Sequence, residues 1–222
     1  MNDISQKLKE TLLGLIRNQD LSECVRAPDK DFARNRKLPY EKMILSLLTM
    51  EGTSLKNELL RQFGYHCDIA SSSAFVQQRE KILPAAMEKL FYSFVAETDV
   101  PLGFKGFRLI AVDGSDIQMP INLNDADSLI QTCEGRKPYN LLHLNALYDL
   151  QAHTYVDAIV QKKHASSENG ALTNMVDRSE ITGDVILIAD RGYESYNNMA
   201  HIQEKGWKYL IRIKDFQQYN SG

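Results

Sequence analysis

Cysteine is scarce in this chain. Cys24, Cys67 and Cys133 are the only three in 222 residues, an odd number set far apart, with no Cys or His pair at zinc-finger spacing. That excludes a disulfide framework and a structural zinc, and the three read as reduced, mostly buried thiols. Long apolar runs are missing too: nothing approaches the roughly 20 residues of a membrane span. The opening Met1-Asn-Asp-Ile-Ser-Gln-Lys lacks a signal-peptide pattern, so a cytoplasmic location is expected. Neither sign of charge dominates. A net charge of −3 excludes a chain that is basic throughout, while leaving room for local basic clusters beside an acidic metal site. With 43% hydrophobic and 25% charged residues the chain is neither disordered nor fibrous, and its length suits two domains better than one.

What is present falls into two parts that meet near Asp99-Val-Pro101-Leu-Gly103: a helical region, 1–100, and a mixed region, 104–222. In the first, apolar stripes at helical spacing are Leu8, Leu12, Leu15 and Ile16, then Met43, Ile44, Leu47 and Leu48, then Leu55, Leu59, Leu60 and Phe63. Further helices are expected over 72–83, entered through Ser71-Ser72-Ser73, and over 85–95 after Pro84. The segments 54–63 and 72–83 read as a helix-turn-helix variant with a long connection. After Gly103 come an apolar strand, 107–113, and a polar, turn-rich stretch through Asn122, Asn124, Asp125, Asp127 and Gly135. A hairpin of 140–149 and 154–161 follows, then a helix from Ser166-Ser167 bearing Leu172, Met175 and Val176. A continuous apolar strand 185–190, a helix 195–205 and a strand 208–214 with Trp207 as its anchor complete the order β-β-β-α-β-α-β. The expected class is α+β: an N-terminal helical bundle followed by an incomplete ribonuclease-H-like mixed sheet, whose last helix or helices have no counterpart, so that the chain reads as C-terminally truncated.

Two of these strands end in an aspartate. Phe107-Arg-Leu-Ile-Ala-Val-Asp113-Gly114 and Val185-Ile-Leu-Ile-Ala-Asp190-Arg191-Gly192 each carry a carboxylate out of an apolar run. Such a group is costly to desolvate unpaired, and well placed to hold a hard cation at a sheet edge. If 185–190 runs parallel beside 107–113, Asp113 and Asp190 lie side by side. Two divalent ions about 3.5 to 4 Å apart can stabilise both the attacking and the leaving oxygen of a phosphodiester, and Mg²⁺ or Mn²⁺ needs few protein ligands for it. Asp113 would bridge the ions and Asp190 would hold one of them. Asp116 stands three residues after Asp113, not two, and reads as a turn or cap residue.

The strings Leu109-Ile-Ala-Val-Asp-Gly-Ser-Asp-Ile117 and Ile188-Ala-Asp-Arg-Gly-Tyr-Glu-Ser-Tyr196 resemble the two aspartate segments of the DDE transposases of bacterial insertion sequences, of the insertion-sequence-four type. Phe32-Ala-Arg-Asn-Arg-Lys-Leu-Pro39, Ser73-Ala-Phe-Val-Gln-Gln-Arg79 and His164-Ala-Ser-Ser-Glu168 extend the similarity, which covers roughly 30–215. The resemblance implies a helical region that binds double-stranded DNA at the element's terminal repeats, and a metal-dependent catalytic core that cleaves strands and transfers them to target DNA. It further implies a homo-oligomer in a synaptic complex. The family's third carboxylate is a glutamate in a Tyr, Arg, Glu, Lys motif on a helix beyond the last core strand. The chain stops before such a motif, and neither Glu194 nor Glu204 stands in its context. The rival reading is therefore an inactive, truncated transposase that acts as a DNA-binding inhibitor or persists as a remnant.

Other residues carry lesser expectations. Arg191 can contact a phosphate or pair with a catalytic carboxylate, Gly192 permits close backbone approach, and Tyr193 can stack on a base or pack. Arg34, Arg36 and Lys37, near Lys30, form a basic patch suited to phosphates. Gln77, Gln78, Arg79 and Lys81 are of types that reach base edges or phosphates from a recognition helix. His143 is expected to be packed or hydrogen-bonded. His164 and Glu168 sit at a helix start, where the dipole favours a carboxylate without any metal.

Overall fold

The structure is a computed structural model and describes residues 2–34, 36–66, 68–99, 103–131 and 136–213. Cys67, Cys133, Gly135, Lys214 and the boundary residues 100–102 lie outside these. Cys24 is buried and unbridged. The chain divides into two compact units, Met1–Thr98 and Asp99–Gly222. Among the described residues no helix is long and apolar enough to cross a membrane.

The first unit is all helix: α1 Asn2–Asn18, α2 Leu21–Cys24, α3 Tyr40–Leu48, α4 Leu55–Gln62, α5 Ser72–Arg79 and α6 Pro84–Thr98. Serine caps start two of them, Ser54 accepting from the Asn57 N–H and Ser71 from the Ala74 N–H, while Pro84 opens α6 where no N–H is needed. The apolar stripes close two adjoining cores. One gathers Ile16, Val25, Tyr40, Ile44 and Leu90; the other gathers Leu38, Met43, Leu59 and Phe75, so that α4 and α5 share a core. Buried Glu58 fixes the turn before α4 by accepting from the Glu51 and Thr53 N–H groups while its other oxygen meets Arg61.

One helix is shorter than its sequence suggested. α5 stops at Arg79, and Ile82 forms an antiparallel bridge with Val25, with the Lys81 carbonyl accepting from the Arg26 N–H. Ile82 packs into both cores, and the residue before Pro84 is sterically biased away from helical backbone. Lys81 therefore leaves the proposed recognition helix and pairs with Asp31 at 3.7 Å.

The second unit is a mixed sheet with helices: β1 Arg108–Met119, β2 Leu129–Ile130, β3 Tyr139–Asp149, β4 Thr154–Lys162, α7 Glu168–Arg178, β5 Val185–Ala189, α8 Tyr196–Glu204 and β6 Lys208–Ile211. The sheet runs β2-β3-β1-β5-β6, with β4 also on β3; β1, β3 and β4 are antiparallel, whereas β5 is parallel to β1 and β6 to β5. The expected α+β class and mixed sheet are present, with the two-residue β2 as an addition. Alternate residues Ile110 and Val112 of β1 and Val185, Leu187 and Ala189 of β5 face a core completed by Leu172, Met175 and Val176 of α7, Ile202 of α8 and Trp207. At the start of β1 a buried ion network ties the sheet together. The Arg108 guanidinium lies 2.6 Å from Asp149 and donates twice to Asp99, at 2.5 Å and 3.0 Å, and Asp149 also accepts the N–H groups of Gln151 and Ala152.

Candidate functional site

β1 and β5 pair in parallel as far as Ala111 opposite Ile188. β5 ends at Ala189, and carrying the same register two residues past the last pair would bring Asp113 level with Asp190. Both aspartates are exposed, and neither is buried against an arginine. The expectation that Asp113 ends its strand is corrected: β1 continues to Met119, paired with β3 down to Asn140. Asp113 stands instead where β5 gives out and β1 goes on along β3 alone. The extension is polar because its residues are exposed, and exposure made the sequence read as a loop.

Each carboxylate is held by a nearby backbone N–H. Asp113 Oδ1 accepts from the Gly114 N–H at 2.8 Å, and Asp190 Oδ1 accepts from the Gly192 N–H at 2.8 Å. Asp190 caps a 3-10 turn, Arg191–Tyr193, so exposed Arg191 opens that turn while α8 begins only at Tyr196. A Cβ at residue 192 would lie 3.0 Å from Asp190 Oδ1, so a side chain there would push that exposed carboxylate aside by a few tenths of an ångström. Tyr193 is buried at 2% exposure, which corrects the idea of a base-stacking ring; its hydroxyl has no hydrogen-bond partner. Burial pushes the phenol up from its ordinary pKa, and the negative charges of Glu168, Asp113 and Asp190 push it further.

Glu168, which the sequence reading assigned only to a helix start, belongs to the same neighbourhood. It lies in the first turn of α7, after the Ser167 cap, with Oε1 3.2 Å from His143 Nε2 and Oε2 3.8 Å from where a Gly192 Cβ would be. The signal was there in the His164-to-Glu168 string, but helix-dipole stabilisation was a sufficient account of it. His143 is buried, with Nδ1 2.7 Å from Asp116 Oδ1. Asp116 is corrected from a turn residue to a strand residue: it also accepts from Lys163 Nζ at 2.8 Å, and the hydrogen bonds from Lys163 and His143 lower its pKa. Gly114 makes room for His143, since a Cβ there would meet Nε2 at 2.8 Å.

Among the described residues no three His, Cys, Asp or Glu side chains form a ready-made metal cage. Mg²⁺ asks for less, since it keeps several waters and is commonly bound through one or two carboxylates. Asp113 and Asp190 are two exposed hard oxygen donors, and the buried Tyr193 hydroxyl, on which both charges act, has no hydrogen-bond partner. The donor set fits such an ion.

In the helical unit, Arg36, Lys37 and Gln78 line one open cleft of about 410 Å³, with Ser71 and Ala74 of the α5 start. Gln78 Oε1 is buried there without a partner, and Lys37 pairs with Asp68. Arg34 and Arg79 are exposed and do not line it, and Gln77 turns back to Ser73 Oγ at 3.4 Å.

Comparison with known proteins bears on the second unit most directly. Residues 105–222 match the family model of the transposase DDE domain. Among solved structures the chain is similar to the piggyBac transposase, seen by cryo-EM in a synaptic complex with hairpin DNA. The TM-score is 0.52 at 8% identity, over 90% of this chain and 49% of that one. This is a likeness of fold, and the chain spans about half the length of the piggyBac chain. No curated protein matches the sequence. With just over half of its residues under the family model, the chain belongs to the transposase DDE domain family.

Proposed function

We propose that the chain is a DNA transposase of the insertion-sequence-four type, whose second unit cuts and joins strands at Asp113 and Asp190 and whose helical unit binds the element's ends. The observation that supports the reading is the parallel pairing of β1 with β5 up to Ala111 and Ile188, two residues short of both exposed aspartates, in a chain of this family. Asp113 and Asp190 hold Mg²⁺ or Mn²⁺; the ion, when bound, supplies stabilisation of charge on the oxygens of the phosphodiester. The Gly114 and Gly192 N–H groups orient the two carboxylates. Arg191, exposed on the same turn, contacts a DNA phosphate. Arg36, Lys37 and Gln78, with Arg34 and Arg79 nearby in sequence, meet the double-stranded DNA of the terminal repeats, and strand transfer to target DNA takes place in a synaptic complex of several copies.

The test is cleavage of element-end DNA in Mg²⁺. Asp113→Ala and Asp190→Ala should each lower cutting at least about a hundredfold, the scale of losing a group that stabilises transition-state charge, while leaving end binding intact. Binding of ends with no metal-dependent cutting by the unaltered chain would instead favour a non-catalytic DNA-binding inhibitor.

A further inference from the structure

Beside the cleft of Arg36, Lys37 and Gln78 the helical unit has a second, of about 560 Å³, walled by Lys42 of α3, Phe63 at the end of α4, and His66, Asp68 and Ile69 of the connection to α5. Ile69 lines both clefts, and Lys37 of the first pairs with Asp68 of the second. We propose that the two form one track for the sugar-phosphate backbone of a DNA duplex, with Arg36 and Lys42 on its phosphates, and that Asp68, at the join, restrains its affinity. The inference rests on the reading that the helical unit binds DNA.

Charge supports it first. The chain as a whole carries −3, yet the track is lined by Arg36, Lys37, Lys42 and His66 against one carboxylate, Asp68. Lys37 neutralises that carboxylate, and among the described residues Arg36 and Lys42 have no acidic partner. Lys42 is nevertheless held in place. Its ammonium sits 3.7 Å from the centre of the Phe63 ring, which attracts a cation while leaving ammonium hydrogens free for an anion.

Shape agrees with charge. A DNA backbone alternates charged phosphates with weakly polar sugar rings, and the first cleft sets the apolar side chains of Leu38, Ala70 and Ala74 beside Arg36 and Lys37. Ser71, Ala74 and Gln78 stand in one row at helical spacing, so α5 lies along the track as a wall. Between Phe63 and His66 of the second cleft, Tyr65 is 73% exposed in left-handed backbone, φ 59°. A bulky residue seldom adopts that conformation, and here it keeps an aromatic ring in solvent next to a basic groove, where a sugar can pack on it. A groove built to take a protein helix would be walled by apolar anchors without this row of cations.

Binding of the purified full chain to a labelled DNA duplex of mixed sequence, followed by fluorescence anisotropy over a salt series, tests the track without any cutting step. Each phosphate contact contributes about 0.9 to the slope of log affinity against log salt. Arg36→Gln and Lys42→Gln should therefore each flatten that slope by about 0.9 and weaken binding roughly 8-fold at about 0.1 M salt. Asp68→Asn, which frees Lys37, should do the reverse, steepening the slope and tightening binding by a similar factor. Lys9→Gln, on exposed α1, should leave the slope unchanged. The parent's slope in both Lys42→Gln and Asp68→Asn overturns the track and leaves DNA binding by the helical unit standing. No binding of the duplex by the unaltered chain overturns that reading and this inference with it. Preference for a labelled polyglutamate peptide over the duplex overturns the track in favour of an acidic protein partner. Should Lys42→Gln fail to fold, acetylation of Lys42 in the unaltered chain carries the test: protection by bound duplex supports the track, and full labelling with duplex bound overturns it.

Discussion

Gly114 and Asp149 show how single residues hold the sheet in the shape that the site needs. A methyl group on residue 114 would meet His143 Nε2 at 2.8 Å and the Asn145 side chain at 3.2 Å, and both residues are buried. Gly114→Ala should therefore cost about 1–3 kcal/mol in the urea midpoint and move the His143 ring resonances, as overpacking does elsewhere. Asp149 is fully buried against Arg108. Burial alone would raise its pKa, but hydrogen bonds from the Ala152 N–H, Arg108 and the Gln151 N–H outweigh that and leave it lowered. Folding thus favours the ionised form. This contribution is complete above the ordinary carboxylate range near pH 4 and is lost as pH falls through the depressed native value. Asp149→Ala, which leaves the buried Arg108 with Asp99 alone and the Gln151 and Ala152 N–H groups without their acceptor, should destabilise by about 3–5 kcal/mol at neutral pH, and urea midpoints below pH 4 should fall less steeply in the variant than in the parent.

At the scale of elements, helices and buried strands were legible wherever apolar residues repeat with a clear period, as in α3, α4, α7 and β5. Elements whose limits depend on a distant partner were not. β1 outruns its apolar portion because β3 is long enough to pair with it, and nothing in Gly114-Ser-Asp-Ile-Gln-Met119 announces that partner. α5 ends early because Ile82 is drawn into two cores and bridges Val25. The parallel pairing of β1 with β5 was readable because it follows from two strands and one crossover; the position of Glu168 was not, since it depends on how α7 meets His143 and Gly192. Ser167 starts that helix by accepting the Gly170 N–H at 3.1 Å. Ser167→Ala should cost about 1 kcal/mol by denaturant titration and fray the turn that carries Glu168.

At the scale of the whole molecule, each unit has its own core, and the Arg108 network closes inside the second because Asp99 is that unit's first residue. Residues 99–222 produced alone should fold with a single cooperative urea transition, and removing Asp99 as well should lower its midpoint. The sheet of this unit also changes width along its length: past Ala111, β1 keeps β3 on one side, and among the described residues no strand pairs with its other edge. Backbone amides from Asp113 to Met119 must then point by turns into the ladder and out of it. Deuterium uptake should trace this stretch as a comb, slow and fast positions alternating, with the fast teeth on the edge that no described strand covers.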